Sequence, residues 1–180
     1  MKGVRAAIRY AKALQQLAQE KNLLDIVVVD VKLIHNTIVE NKELESMLQS
    51  PLIKADKKSN VLTEIFNEKI NNQSLQFVQH VVAHKREAML SVICEEFIKI
   101  YNEINNIASV TVTTPTALTD ALRAELVNKI KTDYSLSAVE LVENIDASLI
   151  GGIVLRMGDK QLDASVRGQL NDIKQELVQA

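Results

Sequence analysis

Apolar residues return every third or fourth position from Val4 to about Asn105, and from Ala108 they return every second one, so the chain passes from a helical to a strand period. From Lys2 to about Lys21 the stripe is Val4, Ile8, Ala11, Leu14 and Leu17 or Ala18, widened by Ala6, Ala7, Tyr10 and Ala13. Small residues beside one aromatic make a shallow surface on which another helix can lie. The plainer use of that face is packing inside the protein's own bundle. The next segment, Leu23 to Glu40, contains I-V-V-V-D-V, which propensity alone reads as a strand. Leu24, Val27, Val31, Ile34 and Ile38 nonetheless keep a helical rhythm for longer than an ordinary strand lasts, and predict a helix.

A short helix carrying Leu44, Met47 and Leu48 comes next, capped by Asn41 and ended at Ser50-Pro51, because the residue before proline avoids helical geometry. Asp56 opens a fourth, with Val61, Leu62, Ile65 and Phe66 facing inward. After the polar break Asn71 to Ser74, Leu75, Val78, Val81 and Val82 mark a fifth helix ending near His84-Lys85-Arg86. Leu90, Ile93, Phe97, Tyr101 and Ile104 form the inner face of a sixth, from Glu87 to about Asn105. Six helices with short connections predict a bundle over residues 1–105.

Beyond it, Ala108, Val110 and Val112 alternate with Ser109, Thr111 and Thr113 in a half-buried strand that Pro115 ends. Thr119 and Asp120 start a helix whose Leu118, Leu122, Leu126 and Ile130 face the sheet, and Val139 to Ile145 is a second strand. Gly151-Gly152 leads into a third, Ile153 to Met157, and Gly158-Asp159 turns the chain into a short strand. Asp163 and Ser165 then offer side-chain oxygens to the first N–H groups of a last helix carrying Val166, Leu170, Ile173 and Leu177. The order strand, helix, strand, strand, helix predicts a small α/β domain over residues 106–180, with the boundary at about 105 to 107 and an α+β chain overall.

Composition narrows the function. A hydrophobic fraction of 47% supports a real core, while a net charge of -2 supplies no basic field for nucleic acid or an anionic membrane. Three Tyr, three Phe and no Trp leave little for stacking bases. No run approaches the roughly 20 apolar residues of a bilayer span, and the first residues lack the apolar core of a signal peptide. Any membrane association is therefore expected through partners. The single Cys94 excludes an internal disulfide and fits a reducing compartment.

Candidate chemistry is thin. His80 and His84 are spaced to share a metal on one helix face, but Val81 follows His80 where the metalloprotease pattern needs glutamate, and no third ligand is near in sequence. Cys94 sits among core positions without a paired base. The glycines around 151–158 enclose an apolar strand, not a phosphate loop. Arg156 is a charge inside that strand, expected to pair with a nearby carboxylate. No acid/base pair, cofactor cradle or metal cluster is left, so no catalytic site or cofactor is expected.

The stretches G-G-I-V-L-R-M-G-D at 151–159 and D-A-S-V-R-G-Q-L at 163–170 resemble the C-terminal signature of the delta subunit of bacterial F-type ATP synthases, the counterpart of the mitochondrial oligomycin-sensitivity-conferring protein. R-Y-A-K-A-L at 9–14 is similar to that family's first helix, and length and element order agree throughout. The signature falls on Gly151, Gly152, Arg156, Gly158, Asp159, Asp163, Ser165 and Arg167. The resemblance implies a non-catalytic stator subunit at the cytoplasmic face of the bacterial inner membrane. Its N-terminal six-helix bundle would grip N-terminal helices of alpha subunits between the first and fifth helices, and its C-terminal domain would join the b subunits of the peripheral stalk. Carried over, the groove falls on Tyr10, Ala11 and Leu14 with Val78, Val81 and Val82. One departure is Lys85, where the family often has glycine before the arginine; it leaves the exact end of the fifth helix open. The competing readings are a generic helical adaptor and a small enzyme acting at the Gly158-Asp159 turn.

Overall fold

The computed structural model describes residues 2–170 and 174. The chain divides into two compact units, Met1–Tyr101 and Asn102–Ala180. Helices α1 (Lys2–Glu20), α2 (Leu24–Glu40), α3 (Lys42–Gln49), α4 (Ala55–Phe66) and α5 (Asn72–Ala83) are followed by a 3-10 turn, Glu87–Met89, and by α6 (Leu90–Ile104). Their inward faces make one core from Ala7, Ala11, Leu14, Val31, Ile34, Leu62, Phe66, Val78, Ile93 and Phe97, among others. In α1 the inner stripe closes on Ala18, while Leu17 and Val4 are exposed.

The run read as a strand by propensity is helical in α2, and magnitudes explain why. A β-branched residue costs about half a kcal/mol relative to alanine in a helix, whereas burying a valine or isoleucine contributes roughly 1.5–3 kcal/mol. Val27, Val28, Val31, Ile34 and Ile38 are all buried. Ile26, Val29 and Leu33, on the other side of the same helix, are exposed, so α2 is apolar nearly all round.

Several local expectations are corrected. Asn41 precedes α3 but makes no side-chain cap; its amide donates instead to the Thr37 carbonyl at the end of α2. The polar break at 71–74 is the start of α5 itself, with the Asn71 side chain accepting from the Gln73 N–H. Ser74 there is buried, and its hydroxyl donates to Asp30 at 2.6 Å while the Asn71 N–H donates to the same carboxylate at 2.9 Å. A carboxylate at a helix N-terminus complements the positive end of the helix dipole and satisfies free donors, which is why the acidic Asp30 stands in the middle of an apolar run. Ile104 and Leu122, expected inside, are exposed.

The second unit is a four-stranded sheet in the order β2-β1-β3-β4, formed by β1 (Ile107–Thr114), β2 (Ala138–Ile145), β3 (Gly152–Met157) and β4 (Lys160–Ser165). The stretch after the Gly158-Asp159 turn is thus a full strand rather than a short one. Helix α7 (Asp120–Asp133) makes the crossover that lets β1 and β2 pair in parallel; β3 pairs antiparallel with β1, and β4 with β3. Thr119 caps α7 through its hydroxyl, as expected. Val110 and Val112 of β1 and Ile130 of α7 are the buried centre of this unit. Residues 166–170 are helical; Ile173 and Leu177 lie outside the described residues.

Candidate functional site

The α1 and α5 faces come together at two points. The Lys21 ammonium donates to the Gln73 side chain, and a void of about 10 Å³ has Leu14 of α1 facing Ser74, Phe77 and Val78 of α5. The Lys21–Gln73 bond joins the end of α1 to the start of α5, and Leu14 lies further back along α1 where Phe77 and Val78 lie further on along α5, so the two helices run antiparallel. Of the residues carried over to the groove, Ala11, Leu14, Val78, Val81 and Val82 are core, each with 2% or less of its surface exposed, and Tyr10 alone is half-buried. Phe77, absent from the sequence-based set, is half-buried on the α5 side. It lies one position off the Leu75, Val78, Val82 stripe, and that offset aromatic is the signal by which it could have been found. Tyr10 and Leu17 on α1 and Phe77 on α5 are therefore the side chains that carry apolar surface outward, above a floor of core residues.

The signature residues build a joint. Gly152 has φ +77, and a Cβ placed on it would lie 2.2 Å from the Ala164 carbonyl oxygen, so only glycine fits where β3 begins against β4. Gly158 has φ +57 and Asp159 does not share the positive φ, the pattern of a type II′ hairpin. Asp163 accepts from the Ser165 N–H at 2.9 Å, and the Ser165 hydroxyl accepts from the Gly168 N–H at 3.0 Å, which caps the helical stretch 166–170. Arg167 donates to the Ser148 hydroxyl at 3.0 Å, while the Ser148 N–H donates to Asp146. Hydrogen bonds from Ser165, with the charge of Arg167 beyond them, hold Asp163 below the usual carboxylate range; Ser148 and Arg167 do the same for Asp146. The whole set fastens the end of the sheet to the helix that leaves it. Arg156 is exposed in β3, and among the described residues no carboxylate reaches ion-pair distance, contrary to the pairing expected of it.

These geometries offer little chemistry. The space beside Gly152 is filled by the neighbouring strand, and the missing Cβ of Gly158 faces nothing within 4 Å. His80 and His84 have ring centroids 4.3 Å apart, and among the described residues no three His, Cys, Asp or Glu side chains gather to hold a metal. Burial pushes the Cys94 thiol up to about 12, far from the thiolate that reacts. Among the described residues no helix is long and apolar enough to cross a membrane.

A family described as ATP synthase delta (OSCP) subunit matches residues 6–177. The ATP synthase subunit delta of Flavobacterium psychrophilum is 41% identical over 98% of this chain and 99% of its own length. The proteins of the same name from Christiangramia forsetii and Thermosynechococcus vestitus are each 38% identical, over 98% and 95% of this chain and 95% and 92% of their own. A chain in the cryo-EM structure of the Toxoplasma gondii mitochondrial ATP synthase hexamer superposes with a TM-score of 0.76 over 96% of this chain and 97% of its own; at 23% identity that likeness shows a shared fold.

Proposed function

The chain belongs to the ATP synthase delta (OSCP) subunit family, and from that membership we propose that it is a non-catalytic stator subunit, fastening the alpha/beta head of an F-type ATP synthase to the b subunits of the peripheral stalk. The N-terminal unit takes N-terminal helices of alpha subunits in the groove between α1 and α5, and the C-terminal unit joins the stalk. The subunit sits on the cytoplasmic side of the bacterial inner membrane and reaches the bilayer only through the complex. A rotor turning inside the head exerts an opposite torque on it, and the head must be held for rotation to do chemical work.

The observation that carries the groove is the half-buried pair Tyr10 and Phe77 above a floor of buried alanine, leucine and valine. Shallow apolar grooves between helices take amphipathic helices, with aromatic side chains as anchors. Titration of an alpha-subunit N-terminal peptide against the full chain and its Tyr10→Asp variant tests this. The variant is expected to bind at least tenfold more weakly with an unchanged circular dichroism spectrum; equal affinities would remove Tyr10 from the contact and the groove with it.

A further inference from the structure

Charge along α1 and α5 is one-sided. Helix α1 carries Arg5, Arg9 and Lys12 and no carboxylate before Glu20, and from Asn72 to Arg86 there is none at all, while His80, His84, Lys85 and Arg86 crowd the far end. Because α1 and α5 run antiparallel, the basic half of α1 and the basic end of α5 point to the same end of the bundle. Arg5 stands in the first turns of α1, where the helix dipole favours anions and where no acidic residue is found. Arg5, Arg9, Lys12, His80, His84 and Arg86 are all exposed, and among the described residues no carboxylate pairs with Arg5, Arg9, Lys12 or Arg86. The nearest carboxylate along the chain, Glu87, is turned inward to Lys58.

On helical spacing Arg9 lies on the side of α1 that continues outward from Tyr10 and Leu17, and His80 and His84 lie on the side of α5 that continues outward from Phe77. The apolar groove thus has a cationic rim at one end, and the one carboxylate of these two helices, Glu20, stands at the opposite end of α1. We infer that the occupant of this groove is an amphipathic helix whose carboxylates cluster at one end, and that Arg9, supported by Arg5, fixes which way it lies. Unpaired cations beside an apolar groove repel a basic segment and steer an acidic one, so the rim sets choice of partner and rate of capture more than total affinity.

This rests on the alpha-subunit reading of the groove, and the experiment separates the two. Binding of the alpha-subunit N-terminal peptide to the full chain is measured by titration at low and high salt, for the natural chain, for Arg5→Gln/Arg9→Gln, for Arg9→Glu and for Tyr10→Asp. A second peptide has its Asp and Glu changed to Asn and Gln. The double glutamine variant is expected to lose about three- to tenfold at low salt and Arg9→Glu more, both losses fading at about 0.5 M salt, where exposed charges are screened. The neutral peptide is expected to bind the natural chain and the glutamine variant alike. If Tyr10→Asp weakens binding while the arginine variants match the natural chain at every salt concentration, the rim has no role and this inference is overturned alone. If Tyr10→Asp also leaves binding unchanged, the groove reading fails with it.

Discussion

Lys85 has φ +56, a left-handed conformation that costs an L-residue roughly 1–2 kcal/mol. Its N–H donates to the Val82 carbonyl and that of Arg86 to the Val81 carbonyl, the paired bonds that close a helix whose next residue turns left-handed. Asn22 and Ser135 close α1 and α7 in the same way, so three helices end without the glycine that usually marks such a stop. The sequence therefore places the end of α5 near His84-Lys85-Arg86 without fixing its exact residue: the backbone needs a left-handed residue there, and no glycine announces it. Glycine at position 85 relieves the strain but adds freedom to the unfolded chain, an opposing effect of roughly 0.5–1 kcal/mol. Lys85→Ala removes the same charge and keeps the strain. Lys85→Gly is therefore expected to be about 1 kcal/mol more stable than Lys85→Ala, read from urea unfolding midpoints. Identical midpoints would mean that the strain is no larger than the unfolded-state freedom that glycine adds, and a less stable Lys85→Gly that the turn stores next to none.

Between elements, the helical unit is tied by a buried ion pair that hydrophobic periodicity could not reveal. Lys58 in α4 is 2% exposed; its ammonium donates to the Leu48 carbonyl at the end of α3 at 2.8 Å and to Glu87 in the 3-10 turn at 2.7 Å. A cation at a helix C-terminus and a paired carboxylate together offset its burial, and breaking such a pair from one side costs about 3–5 kcal/mol. The second oxygen of Glu87 is buried without a hydrogen-bond partner. Burial alone would raise the Glu87 pKa, but the Lys58 hydrogen bond, its own backbone N–H and the charges of Lys58 and Lys85 outweigh it and hold the carboxyl below the usual glutamate range. A carboxyl more acidic in the folded than in the unfolded chain contributes stability that is complete above the unfolded value, about 4.3, and is lost as pH falls through the lower folded one. The stability gap between the natural chain and Glu87→Gln is thus expected to be constant from pH 7 to about 5 and to shrink below about 4. Denaturant unfolding across that range checks it, and a gap that widens in acid would reverse the sign. Sequence spacing places Lys58 on α4 beside inward-facing positions, but its two partners are 10 and 29 residues away, beyond any periodicity.

At the scale of the whole molecule, the change of hydrophobic period after Asn105 made both architectures legible, because helices in a bundle and strands on a half-covered sheet obey different repeats. What the pattern could not separate was floor from rim: Ala11, Leu14 and Val81 share the face of α1 or α5 that a partner would approach, yet they belong to the protein's own core, and Tyr10, Leu17 and Phe77 stand proud of it. A stator must resist torque at its weakest contact, so under the proposed function a single weakened groove should uncouple the enzyme without stopping it. On that proposal catalysis stays with the head, and a head released from its anchor would still hydrolyse ATP while turning idly. ATP synthase reconstituted into vesicles with the Tyr10→Asp subunit is therefore expected to keep most of its ATP hydrolysis and to lose most of its ATP-driven proton pumping, followed by a pH-sensitive dye. The natural subunit added in excess should restore pumping, since the groove variant holds its place only through the stalk. Hydrolysis and pumping falling together would put Tyr10 in the catalytic cycle instead of the anchor, and neither falling would show that the head is held elsewhere.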